Sequence, residues 1–209
     1  MDVEYFQGVC EWNVFTSCRI NIRDKLIYGI MLMNALYVGM IFVLMTACSS
    51  NVPTNSSSIK NNITVEYDSF KRQTWIETPL YLSRQGFTDT FPVNIKFRSL
   101  YRKGKNQFIQ LYVAKMDINW GFYHSANGED GYQFDFVKID SDVDSSGGMV
   151  TTNEYFALAV PKTYLAKMSK KDWVIKVYGK RNEGTFIVPM SLSQGFLSKL
   201  KCYESKTCT

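Results

Sequence analysis

The chain has 209 residues, of which 45% are of apolar type and 15% aromatic, so it is too hydrophobic for a disordered protein. Its formal charge is +5, and because the first 47 residues carry a net −1 the rest carries about +6. That mild excess of Lys and Arg suits contact with acidic partners, and is too diffuse for the basic stripe of a nucleic-acid binder.

Residues 1–25 are partly acidic and contain Cys10, Trp12 and Cys18, followed by Arg19, Arg23 and Lys25. They read as a start assigned too far upstream, or as a short cytoplasmic tail. Leu26–Ala47 is a 22-residue block without charge. At about 1.5 Å per residue, a helix of that length just crosses a hydrocarbon core of about 30 Å. The basic residues before it place the N-terminus in the cytoplasm and everything after Ala47 outside.

The block ends Leu44-Met45-Thr46-Ala47-Cys48, followed by Ser49-Ser50. This resembles the lipobox of bacterial lipoprotein signal peptides, in which small residues precede a cysteine that is lipidated and becomes the new N-terminus. Thr46 and Ala47 fit that pattern, and Met45 stands where Leu is usual. The resemblance implies lipidation at Cys48, a membrane anchored by acyl chains, and a location in the bacterial cell envelope. Ser49 in place of Asp implies sorting to the outer membrane, facing the periplasm. The other reading of the same residues is an uncleaved helix, making the chain a single-pass subunit of a membrane complex.

Residues 48–62 follow as the lipidated cysteine and a linker. Ser49–Asn62 is rich in Ser, Asn, Pro and Thr, with only Val52 and Ile59 aliphatic. It reads as a flexible tether with an end-to-end distance of about 20 Å.

From Ile63 to the end, residues 63–209 read as one β domain. Ile63, Val65 and Tyr67 alternate with polar residues, and so do Val93, Ile95 and Phe97. Ile109, Leu111 and Val113 form another set, as do Phe134 and Phe136 with Ile139 after a slip of register. Trp173, Ile175 and Val177 are followed by Phe186 and Val188, and Tyr155–Val160 is a continuous apolar run. Period two with aromatic and β-branched enrichment predicts strands. Turn signals separate them at Arg102–Asn106, Asn127–Gly131, Ser145–Gly148 and Lys180–Gly184. Pro161–Lys170 and Ser191–Lys201 predict two short helices, the second with Ser191 as a cap. The expected fold is mainly β: an antiparallel β-sandwich or open barrel with two short helices.

Candidate sites are few. His124 is the single histidine, no nucleophile elbow accompanies it, and it reads as structural. Asp140, Asp142 and Asp144 resemble the start of a calcium loop. Ser145 and Thr151 then stand where that loop needs Gly and an acid, so the three read chiefly as an acidic, solvated loop, and no cofactor is expected. Lys96, Arg98 and Arg102 lead a basic cluster that continues with Lys103 and Lys105, and Lys96 and Arg98 share one strand face. Trp75, Trp120 and Trp173 read as core before platform. If Cys48 is acylated and Cys10 and Cys18 are removed, Cys202 and Cys208 remain outside the cytoplasm, where they are expected to form a disulfide. The functional expectation is a non-catalytic binding or assembly domain that takes an envelope protein, glycan or anionic lipid partner. The alternative is an envelope hydrolase working through carboxylates.

Overall fold

The computed structural model describes residues 50–83, 93–145, 148 and 150–207. In chain order the described elements are β1 (Ser50–Asn51), α1 (Ser56–Asn61), β2 (Thr64–Asp68), β3 (Gln73–Glu77), β4 (Tyr81–Leu82), β5 (Asn94–Arg102), β6 (Lys105–Asp117), β7 (Tyr123–Gly128), β8 (Phe136–Asp144), β9 (Thr151–Ala159), α2 (Lys162–Met168), β10 (Trp173–Gly179), β11 (Glu183–Val188) and α3 (Met190–Glu204). The fold is mainly antiparallel β in two sheets with short helices. The larger sheet has the order β1-β4-β5-β6-β9-β8, with β3 on the far half of β5 and β2 beyond β3. The smaller sheet is β11-β10-β7. Among the described strands only β1 and β4 pair in parallel.

The alternating runs bury one face as expected. Ile95 and Phe97 of β5, and Leu111 and Val113 of β6, are fully enclosed. Phe97 stacks on Phe196 of α3 at 5.1 Å and leans on Trp173 of β10 at 5.8 Å. Tyr123 of β7 meets Phe156 of β9 at 5.8 Å. Helix α3 and the smaller sheet therefore cover the same inner face of the large sheet. Lys96 and Arg98 point from β5 to the other, outer face, beside Glu77, Gln110 and Tyr112.

Four expectations are corrected. The stretch read as a tether belongs to the fold from Ser50 onward. Asn55 caps α1 by accepting the Ser57 N–H at 2.8 Å, and Ile59 is fully buried. One isoleucine is enough because α3 offers a seat: a Cβ on Gly195 would lie 2.8 Å from Ile59, so only glycine lets α1 approach so closely. Ser191 is not the cap of α3. Pro189 holds that place and Asp172 accepts the Met190 N–H at 2.7 Å, while Ser191 Oγ donates to the Pro53 carbonyl at 2.7 Å. Asp140, Asp142 and Asp144 lie in β8, not in a loop, paired with Tyr155, Asn153 and Thr151 of β9. Finally, Val65 and Tyr67 lie on a strand as read but are 42% and 66% exposed, β2 being an edge strand paired only with β3.

Candidate functional site: a basic hairpin end

Two hairpins end side by side on the large sheet. Gln73 of β3 pairs with Arg102 of β5, which pairs with Lys105 of β6, so the β2–β3 and β5–β6 turns project past one register line. Two interstrand spacings separate their axes by roughly 10 Å. The β5–β6 turn has Lys103 at φ +49 and Gly104 at φ +74, the pair of left-handed residues that a two-residue hairpin requires. In the β2–β3 turn, Asp68 Oδ1 accepts the N–H groups of Phe70 at 2.9 Å and Lys71 at 3.0 Å, and Arg72 is left-handed at φ +49.

These turns carry Lys71, Arg72, Arg102, Lys103 and Lys105, all exposed. None of the five is ion-paired among the described residues; Arg102 donates only to Gln73 Oε1, at 3.2 Å. Asp68, the one acid in the turns and their closing pairs, is held by its turn. Phe70 stands among these cations with 98% of its surface exposed. A groove of about 260 Å³ lies alongside β6, lined by Asn106, Phe108, Asp135, Pro161 and Lys162 among others.

The basic cluster read from sequence is thus split. Arg102 sits on the hairpin end with Lys103 and Lys105. Lys96 and Arg98 lie together on the outer face and are already engaged. Lys96 Nζ meets Glu77 Oε2 at 2.6 Å. Arg98 Nε donates to Gln110 Oε1 at 3.0 Å, and its guanidinium lies 5.7 Å from the Trp75 ring and 5.1 Å from Tyr112. Burial lowers the Arg98 pKa, though a guanidinium stays charged at neutral pH. Tyr112 in turn stacks with Tyr155 at 6.3 Å. In this row Trp75 is engaged by Arg98 and Phe108, and Tyr112 by Lys96, Arg98 and Tyr155, so the row stiffens that face and offers little for a ligand to stack on. Trp173 is core, and Trp120 lies half-buried beside Phe122.

The remaining candidates stay apart. Along β8, alternate residues are about 6.6–6.8 Å apart, too far for Asp140, Asp142 and Asp144 to converge as they would in a loop. Asp142 accepts from Asn153 Nδ2 at 2.6 Å, and no group of three ligating side chains occurs among the described residues. His124 is exposed on β7 with Nδ1 3.1 Å from Ser125 Oγ, and no carboxylate orients it among the described residues. Cys202 is disulfide-bonded. Cys208, Cys48 and Leu26–Ala47 lie outside the described residues, and among the described ones no helix is long and apolar enough to cross a membrane.

Two carboxylates that the sequence did not single out have structural work. Glu154 on β9 is 7% exposed and accepts the N–H groups of Gly121, Phe122 and Tyr123 at 2.6, 3.2 and 3.3 Å, tying the large sheet to the loop that feeds β7. Asp130 accepts from Lys167 Nζ at 2.8 Å and from the Tyr164 hydroxyl at 3.0 Å. Phe70 was also missed; an aromatic inside the polar turn Asp68-Ser69-Phe70-Lys71-Arg72 was the available signal. Comparison with protein families, curated proteins and solved structures gives no match.

Proposed function

We propose that the chain is a lipid-anchored envelope protein, attached through Cys48, whose β domain binds an anionic partner at the basic hairpin end and performs no chemistry on it. One observation carries the partner class: five exposed cations on two adjacent, conformationally fixed turns, none of them neutralised by a neighbouring carboxylate. Elsewhere the cations expected to bind, Lys96 and Arg98, have partners within the fold. Supporting a binding role, the groove beside β6 is lined by one acid, Asp135, where carboxylate hydrolysis needs two facing each other.

Retention of the full-length protein, in neutral detergent, on immobilised heparin tests the partner class. Retention should weaken as salt rises. Arg102→Glu with Lys103→Glu should elute at much lower salt, while Lys138→Glu with Lys180→Glu, the same charge change elsewhere, should elute near the wild type. Equal loss in both variants would mean that only net charge matters and would overturn the site. Turnover of a glycan or ester that disappears on one carboxylate-to-amide change would overturn the non-catalytic reading. For the anchor, intact mass of the membrane-extracted protein should show an acylated chain beginning at Cys48, and Cys48→Ser should lose the acyl mass. An unmodified chain beginning at Met1 would refute it.

A further inference from the structure

Phe70 has no role in the fold. It is 98% exposed, yet its backbone is fixed from both sides by the Asp68 side chain and the left-handed Arg72. Holding a phenyl group in water on an ordered turn is the arrangement of an anchor formed in advance of its partner, since little conformational freedom is then lost on contact. Tyr67 and Val65 extend exposed apolar surface from the tip along β2. Lys71 and Arg72 follow Phe70 directly, and Arg102, Lys103 and Lys105 stand on the neighbouring hairpin.

We infer that this hairpin tip docks on an anionic lipid bilayer, with Phe70 entering the acyl boundary and the five cations lying at the headgroups. The inference rests on the reading of the hairpin end as an anionic-partner site and names that partner. Charge complementarity selects an anionic surface, each cation near it contributing roughly tenfold or less in affinity. The shape selects lipid over a folded partner. Two side-by-side turns form a convex tip, and a protein would have to supply a ready-made pocket for the phenyl ring, whereas a fluid bilayer opens around it. An acidic polymer would satisfy the cations and leave Phe70 in water. Lys and Arg stems can lie along the apolar boundary while their charges stay at the headgroups.

The test uses the full chain held in phosphatidylcholine nanodiscs, mixed with separate vesicles of phosphatidylcholine alone or of phosphatidylcholine with phosphatidylglycerol, and with heparin. Wild type should float with the phosphatidylglycerol vesicles and not with the neutral ones. Phe70→Ser should weaken that binding by about tenfold or more, the loss expected when one phenyl is withdrawn from hydrocarbon. Phe70→Trp should retain it, and its added fluorescence, relative to wild type, should shift to the blue and be quenched by brominated lipid. Heparin binding should be unchanged in Phe70→Ser and much weakened in Arg102→Glu with Lys103→Glu. Heparin binding without vesicle binding, or vesicle binding indifferent to Phe70, would overturn the bilayer inference and leave the anionic-partner reading in place. Binding to neither would overturn both.

Discussion

Replacing Glu154 by Gln turns one oxygen of a buried carboxylate into a donor that faces the N–H groups of Gly121, Phe122 and Tyr123. We expect a loss of about 1.5–3 kcal/mol in urea unfolding, the range for hydrogen bonds to a charged acceptor, and a larger loss for Glu154→Ala. Backbone conformation alone decides another position. A Cβ on Gly104 would meet nothing within 4 Å, yet its φ is +74, so Gly104→Ala should cost about 1–2 kcal/mol with no clash to relieve. The third residue bears on stability at low pH. Asp130 titrates below its usual 3.8 because Lys167 donates to it, with Tyr164 and the Tyr132 N–H adding to the effect and partial burial opposing it. A depressed carboxyl pKa stabilises the fold above the unfolded value and loses that contribution as pH falls through the folded value. Below pH of about 4, wild type should therefore lose stability more steeply than Asp130→Asn, as read from denaturation midpoints against pH. The shared face of Lys96 and Arg98 was legible in the sequence, because period two is a local property. Their partners Glu77 and Gln110 were not, because they lie 19 and 12 positions away and the register that brings them across is set by the connections between the strands.

The strands built on Val93–Phe97, Ile109–Val113, Trp173–Val177 and Phe186–Val188 could be read directly, since each alternates and each buries one side. The helix at Pro161 could be read as well, because proline fits the position before the first turn. Helix α1 could not. Its six residues contain a single buried apolar side chain, and its stability comes from α3, about 130 residues later. Ile59→Ala should accordingly destabilise the domain by about 2–5 kcal/mol, a cost that a tether would not show. Gly195→Ala, which presses a methyl against Ile59, should cost about 1–3 kcal/mol. The first half of β8 was legible at Phe136 and Ile139, register slip included, but its second half was hidden for a different reason: carboxylates at period two look the same on a strand edge and in a cation loop, and only pairing with β9 separates them. At the end of α3, the expected link from Cys202 to Cys208 should appear as one peptide pair in non-reducing mass mapping. Stoichiometric alkylation of both thiols without reductant would exclude it.

The described domain ties its last helix back to its first residues. Ser191 reaches Pro53 across 138 positions, and Tyr203 reaches Thr74 across 129. Glu204 accepts from Tyr101 at 2.9 Å and from Lys162, tying the last turn of α3 to β5 and to the start of α2. The inner face of the large sheet is therefore completed only when α3 is in place. Removing residues 190–209 should leave a chain that lacks cooperative unfolding and fixed near-ultraviolet dichroism, even though all eleven described strands precede residue 190 and none is deleted. Contacts so distant in sequence also slow the search for the native state. In the envelope location proposed above, a domain whose first helix is held by its last would stay unfolded until α3 is available, which would suit passage across a membrane before folding.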